Sequence, residues 1–186
     1  CVLTLPQVFR ANVEGPWIFP DAADADDIVA LAHNCPSGAI TYERHDAEKQ
    51  ETPPQVNTAR VWENGPVAVH ADLHIDGQAP CTRAVLCRCG ASKNKPFCDG
   101  SHKAVNFTAT GEPATGNTDA LEKRDGPLTA TPLPDGPVLL KGNVEVLSGT
   151  GRAILRTQET SLGRCGASKN KPYCDGSHVA AGFKAP

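Results

Sequence analysis

The chain contains no methionine and, with two Trp, two Tyr and five Phe in 186 residues, few aromatics. Aromatic side chains carry much of the buried apolar area in ordinary cores. Their scarcity excludes one large core and favours small units stabilised by a further device, a disulfide or a metal. Charge of one sign is also lacking. A net charge of −3 gives no general attraction to nucleic acid or to an anionic membrane. Long apolar runs are missing: none approaches the roughly 18 residues that span a bilayer, and no basic-then-apolar signal pattern opens the chain. The expected partner is therefore a protein or small molecule, with no nucleic acid and no membrane. No Ser/His/Asp set, phosphate loop or dinucleotide fingerprint is found, so enzymatic activity is not expected. Because the sequence begins at Cys1 and holds no Met, an upstream segment, or at least the initiator residue, is expected.

What is present in quantity is cysteine, glycine and proline, at 8, 17 and 16 residues. Short elements joined by turns follow from the last two. Most of the cysteines fall in repeating patterns. The pair in Cys87-Arg88-Cys89 stands too close to close a disulfide easily, yet both side chains can converge on one point. Metal binding in a reducing compartment, taken as the cytoplasm, explains this clustering better than disulfide staples do.

Internal repetition is strong. Residues Arg88 to His102 read RCGASKNKPFCDGSH and residues Arg164 to His178 read RCGASKNKPYCDGSH, differing only at Phe97 against Tyr173. The offset is 76 residues; upstream, Asn64-Gly65-Pro66-Val67 matches Asp135-Gly136-Pro137-Val138 at an offset of 71. Two similar units of about fifty residues, the second with a short insertion, account for both offsets. The first occupies 57–110 and the second 134–186, with a Gly-, Pro- and Thr-rich linker at 111–133 and a separate segment at 1–45.

Each unit reads as β-rich ahead of its motif. Val67, Val69, Ala71, Leu73 and Ile75 alternate with polar or small residues at the period of a half-buried strand, and Thr82 to Leu86 leads a second strand into Cys87. In the second unit Val138 to Leu140, Val144 to Leu147 and Ala153 to Arg156 serve similarly, divided by Ser148-Gly149 and Thr150-Gly151. Short helices are predicted from Ser101 and from Ser177, capped by Asp or Ser. Glu43 to Val56, stiffened by Pro53-Pro54, is a second linker. Before it, Asp21 to His33 is predicted helical, with Ile28, Leu31 and Ala32 on one face.

Cys87, Cys89, Cys98 and His102 form one candidate ligand set. Three soft thiolates and one imidazole suit either an iron-sulfur cluster or zinc, and spacing alone leaves both open. The longer string Cys87-x-Cys89-x-x-Ser92-x-x-x-Pro96-x-Cys98-Asp99-Gly100-Ser101-His102 resembles the signature of the CDGSH iron-sulfur (mitoNEET-like) family. The resemblance implies a 2Fe-2S cluster with Cys87 and Cys89 on an inner iron and Cys98 and His102 on an outer, exposed one. It also implies a small α+β, β-rich fold in which the two units form a pseudo-twofold arrangement within one chain, a monomer standing in for a dimer. The expected function is electron or cluster transfer to a redox or cluster-acceptor protein; the alternative is a zinc-stabilised interaction module. A Cys3His set carries one negative charge fewer than four cysteines, which favours reduction. Imidazole also competes with a proton near neutral pH, so cluster loss on acidification is expected to depend on His102.

The second motif keeps Cys165, Cys174 and His178, but 76 residues after Cys87 the sequence holds Gly163. Family roles therefore carry over to three residues only. A second 2Fe-2S cluster is still expected there, easier to reduce and easier to lose, with water or another donor in the vacant position. Lys93 and Lys95 are read as solvated loop lysines or a greeting for an acidic partner. His70 and His74 are read as exposed strand residues, and Cys81 as a packed or free thiol. At the N-terminal end, Cys1-Val2, Val8-Phe9, Pro16-Trp17-Ile18, Asp21 and Cys35-Pro36 resemble the divergent single-cluster 4Fe-4S ferredoxin domain. Two thiolates are too few for such a cluster, so a partial ferredoxin-like segment without one is expected.

Overall fold

The structure, a computed structural model, describes residues 2–11, 13–33, 40–45 and 51–186. It divides into a unit of Cys1–Glu51 and a unit of Thr52–Pro186. In the first unit a short 3-10 helix, Pro20–Ala22, precedes helix α1, Ala25–His33. Asp26 and Asp27 in the first turn and His33 in the last suit the helix dipole. The predicted apolar face is real: Leu31 packs with Val8 and Phe9, with Ile28 alongside. Phe9 pairs across to Ile18, so the Trp17-Ile18 stretch closes a small ladder over this cluster.

The second unit is built on six strands: β1 (Thr58–Val61), β2 (Val67–Ile75), β3 (Cys81–Leu86), β4 (Pro127–Pro132), β5 (Val138–Leu147) and β6 (Ala153–Leu162). The alternation read from β2 is borne out, every second residue from Val67 to Ile75 being buried. Strand β2 pairs antiparallel with both β1 and β3, and β5 does the same with β4 and β6. Two parallel pairings cross between the halves, β1 with β5 and β2 with β4. An edge accepts one neighbour at a time, so β1 and β4 lie end to end between β2 and β5, with β3 and β6 outermost.

These pairings repeat when the halves are exchanged. Thr58 faces His70 and Glu145; Thr129, 71 positions later, faces Lys141 and His74. The reciprocal strand contribution buries a shared core from Val61, Val69, Leu73, Leu128, Leu140, Val146 and Ile154. Sharing compensates for the few aromatics: aliphatic side chains from both halves fill one core that neither half could build alone.

One boundary differs from that read in the sequence. The segment 111–133 is not linker throughout, because Pro127–Pro132 forms β4 and carries buried Leu128 and Ala130. Its Pro, Thr and Gly content concealed a strand whose hydrogen bonds come from both β2 and β5. Units 57–110 and 134–186 share one sheet. The extra residues of the second half lengthen the β5–β6 hairpin, whose strands run ten residues each against nine and six in β2 and β3.

Candidate metal centre

Strand β3 ends at Leu86, and the motif folds back on it. Cys87 N–H donates to the Pro96 carbonyl at 2.8 Å and Cys98 N–H to the Val85 carbonyl at 2.8 Å, with Leu86 opposite Phe97. Residues 87 and 98 are thus anchored side by side although eleven positions separate them. Inside the loop, Ser92 Oγ donates to the Phe97 carbonyl at 2.6 Å and accepts from Asn94 N–H at 3.0 Å. Asp99 accepts from Lys93 N–H at 2.8 Å and Ser101 N–H at 3.0 Å, and helix α2 (Ser101–Ala104) begins directly after it. The expected cap is therefore Asp99, acting one residue ahead of Gly100. Gly100 itself takes φ +86°, a conformation side chains resist.

The four donors stand in two pairs. Cys87 Sγ lies 3.7 Å from Cys89 Sγ, and Cys98 Sγ lies 3.4 Å from His102 Nδ1. Two donors on one tetrahedral metal stand about 3.5 Å apart at ordinary metal–ligand lengths, so each pair suits one metal. Among the described residues no three His, Cys, Asp or Glu converge on a single point. Burial falls outward: Cys87 is 3% exposed, and Cys98 and His102 are half-buried.

Electrostatics fit a cationic occupant. Burial pushes the Cys98 thiol up, opposed by the Gly100 N–H that reaches its sulfur at 3.4 Å. Burial also pushes Cys89 up, opposed by the Ala91 N–H at 3.4 Å and reinforced by Cys87. Thiols held protonated by desolvation ionise when a metal binds them. The N–H groups aimed at sulfur then stabilise the anionic ligand. Asp99 is held well below the usual carboxylate range by Lys93 N–H and then by Ser101.

The second motif repeats this frame. Gly163 N–H donates to the Pro172 carbonyl at 2.9 Å and Cys174 N–H to the Ser161 carbonyl at 2.9 Å. Cys174 Sγ lies 3.3 Å from His178 Nδ1, and Ser168 and Asp175 make the bonds of Ser92 and Asp99. Helix α3 (Ser177–Ala180) matches α2. Cys165 receives the Ala167 N–H at 3.4 Å but has no cysteine two positions before it.

The two motifs meet at their cysteines. Cys89 and Cys165 form an antiparallel bridge. A Cβ on Gly90 would stand 2.5 Å from the Cys165 carbonyl oxygen and one on Gly166 2.4 Å from that of Cys89, both at positive φ. Only glycine lets the backbones approach this closely.

The sequence reading located the ligands and missed the residues that fix them. Arg88, between Cys87 and Cys89, is buried and donates to the carbonyls of Gly65, Trp62, Thr110 and Ala109. Burial lowers its guanidinium to about 10, so it stays charged at neutral pH. Arg164 donates to Gly136, Leu133 and Pro186; burial lowers it as well, offset by negative charge at Cys87 and Asp135. An arginine directly before Cys89 in one copy and before Cys165 in the other was the available signal. Lys95 is also more than a solvated lysine, since its Nζ donates to the Ser92 carbonyl at 2.5 Å and lies 5.8 Å from the Phe183 ring centre. Lys93 is exposed. His74 pairs with Asp72 at 3.2 Å, and Cys81 packs against the shared core. Cys1 and Cys35 lie outside the described residues.

A β-rich unit presenting soft sulfur and imidazole donors in twos defines a metal-binding protein of the Cys/His class. Comparison with known proteins makes this specific. Residues 64–103 and 135–179 match the iron-binding zinc finger of CDGSH type, and residues 1–45 match the divergent 4Fe-4S mono-cluster family. CDGSH iron-sulfur domain-containing protein 1 of Rattus norvegicus and its Mus musculus counterpart are each 37% identical over 65 residues, 35% of this chain and 56% of theirs. The chain thus spans about half the length of the curated relatives it matches. It carries two stretches similar to the CDGSH iron-sulfur domain and, at its N-terminal end, one similar to the divergent 4Fe-4S mono-cluster family. It is an iron-sulfur protein.

Proposed function

We propose that the chain carries electrons or whole clusters by means of a 2Fe-2S cluster at Cys87, Cys89, Cys98 and His102 and a second at Cys165, Cys174 and His178. The observation that carries this reading is the pairing of donors, 3.7 Å and 3.4 Å apart within pairs. Structural zinc calls for four donors around one ion, which makes a zinc-stabilised interaction module the weaker reading. Half-burial of Cys98 and His102 leaves one end of the site open to a partner, as transfer requires, whereas Cys87 is closed off. The partner is a redox or cluster-acceptor protein, and the role is carriage rather than catalysis.

The exchange of strand pairings between the halves supports a pseudo-twofold, mitoNEET-like arrangement in a monomer. The segment 1–45 is a partial ferredoxin-like domain on this reading. A reducing compartment, the cytoplasm, suits the free thiols. Histidine ligation makes retention pH-sensitive, since a proton competes for the imidazole. Visible absorption together with iron and acid-labile sulfide per chain tests the reading, followed from neutral to acid pH in the parent and in His102→Cys. Cluster loss at the same pH in both would contradict histidine control.

A further inference from the structure

The loops that carry the ligands differ in charge from the rest of the chain. Of the 21 Asp and Glu, only Asp99 and Asp175 fall within residues 87–107 and 163–183, against seven of the 18 Lys and Arg. Arg88 and Arg164 are buried, and Lys95 and Lys171 turn their ammonium groups onto the Ser92 and Ser168 carbonyls. Lys93, Lys103 and Lys169 stay exposed. Among the described residues none of these three pairs with a carboxylate.

The two copies part in charge at one exposed position. Asp99 accepts the Lys93 N–H on one oxygen and the Ser101 N–H on the other, which ties the Lys93 backbone to the first turn of α2, where Lys103 follows His102. Asp175 ties Lys169 to α3 in the same way, but the residue after His178 is Val179, 77% exposed. The half-buried end of the first site, Cys98 and His102, is thus flanked by two exposed lysines. The same end of the second has one lysine and an exposed aliphatic.

Two like charges held on one face repel each other, and an acidic surface relieves that repulsion while being steered toward it over about 8 Å at physiological salt. A long polyanion such as nucleic acid reaches beyond the patch and meets the acidic remainder of the chain, whereas a protein with its acid confined to one patch does not. Val105, 52% exposed at the end of α2, adds an apolar contact of the kind found in protein interfaces.

We infer that Lys93 and Lys103 form a docking face for an acidic patch on a partner protein, and that the choice of Lys103 in one copy against Val179 in the other directs that partner to the first motif. This deepens the carriage reading above and rests on it, since the face flanks the pair that a receiving partner must approach.

The test uses the whole chain and, as probe, a short fluorescein-labelled peptide of alternating Glu and Gly, with anisotropy read at low and at physiological salt. The inference predicts about one saturable peptide site per chain, weakened by salt. Lys93→Glu and Lys103→Glu each weaken it about fivefold, and Lys169→Glu leaves it within about twofold of the parent. Val179→Lys raises the stoichiometry from about one to about two. All four positions are exposed, so the unfolding midpoint of each variant matches the parent. Peptide affinity unmoved by Lys93→Glu and Lys103→Glu overturns the inference, and so does a Val179→Lys chain that still binds a single peptide. Single-stranded DNA held more tightly than the peptide at equal charge overturns it in favour of nucleic acid. Iron and sulfide counts on the same samples separate the failures. A chain without either overturns the carriage reading and this role for the face with it, whereas an iron-loaded chain indifferent to both lysine variants overturns the docking face alone.

Discussion

The two CDGSH motifs have nearly one sequence and one backbone, yet they differ where chemistry is decided. At the first, Cys87 completes a buried pair with Cys89; at the second, Gly163 leaves Cys165 single. At the first, Phe97 packs on the core with no polar atom to satisfy. At the second, Tyr173 puts a hydroxyl into the same surroundings, buried and without a hydrogen-bond partner, and burial pushes it up to about 12. Duplicated frames therefore hold their geometry through backbone anchors, Ser92 and Ser168, Asp99 and Asp175, Arg88 and Arg164. Ligand number is free to diverge because the frame does not depend on it.

Removing a ligand should break the comparison most severely. Cys98→Ala is expected to abolish the first cluster, since it takes away a donor and half of the outer pair; Cys174→Ala should do the same to the second. Iron and sulfide analysis of each variant checks this, and persistence of both clusters in Cys98→Ala would contradict the ligand assignment.

Next comes the contact between the motifs. Gly90→Ala would force a methyl against the Cys165 carbonyl at positive φ, and strain together with overpacking should cost about 3 kcal/mol. Urea unfolding of the parent and variant measures it. A loss below about 0.5 kcal/mol would mean that the Cys89–Cys165 approach is looser than described.

The buried arginines sharpen the comparison further. Arg88→Met strips hydrogen bonds from four carbonyls and Arg164→Met from three. Unpaired carbonyls in a dry site make each change destabilising by about 2–3 kcal/mol, the first more than the second. Tyr173→Phe is the smallest effect and of opposite sign. It restores the residue of the first copy and removes an unpaired hydroxyl, so unfolding stability should rise by about 1 kcal/mol.

Acid sensitivity divides by group. The carboxyl of Asp99 has a folded pKa depressed from 3.8. Its contribution is in full force above that value and is lost as pH falls through the folded one. Cluster loss on mild acidification therefore cannot come from Asp99. Parent and Asp99→Asn should show the same dependence of cluster retention between pH 7 and about pH 5, the range in which imidazole titrates.

Much of the site was legible in the sequence because the motif is contiguous: donors, turn and helix start follow one another within sixteen residues. Strand β2 was legible for a similar reason, since alternation is a local signal. What escaped depends on distant partners. Strand β4 looks like linker because Pro127, Thr129 and Thr131 gain their pairing only from β2 and β5. Arg88 looks like a surface residue until the carbonyls of Trp62, Gly65 and Ala109 close around it. The sharing of one sheet by both halves was invisible for the same reason, being a matter of which edge each strand meets.

The central claim is that paired donors hold iron and sulfide. Metal and acid-labile sulfide analysis of the anaerobically purified chain, taken with its visible spectrum, tests it most directly. The account predicts a coloured protein with at least about two irons and two sulfides per chain, for the first site, and more as the second fills. A colourless protein with stoichiometric zinc and no sulfide would contradict it.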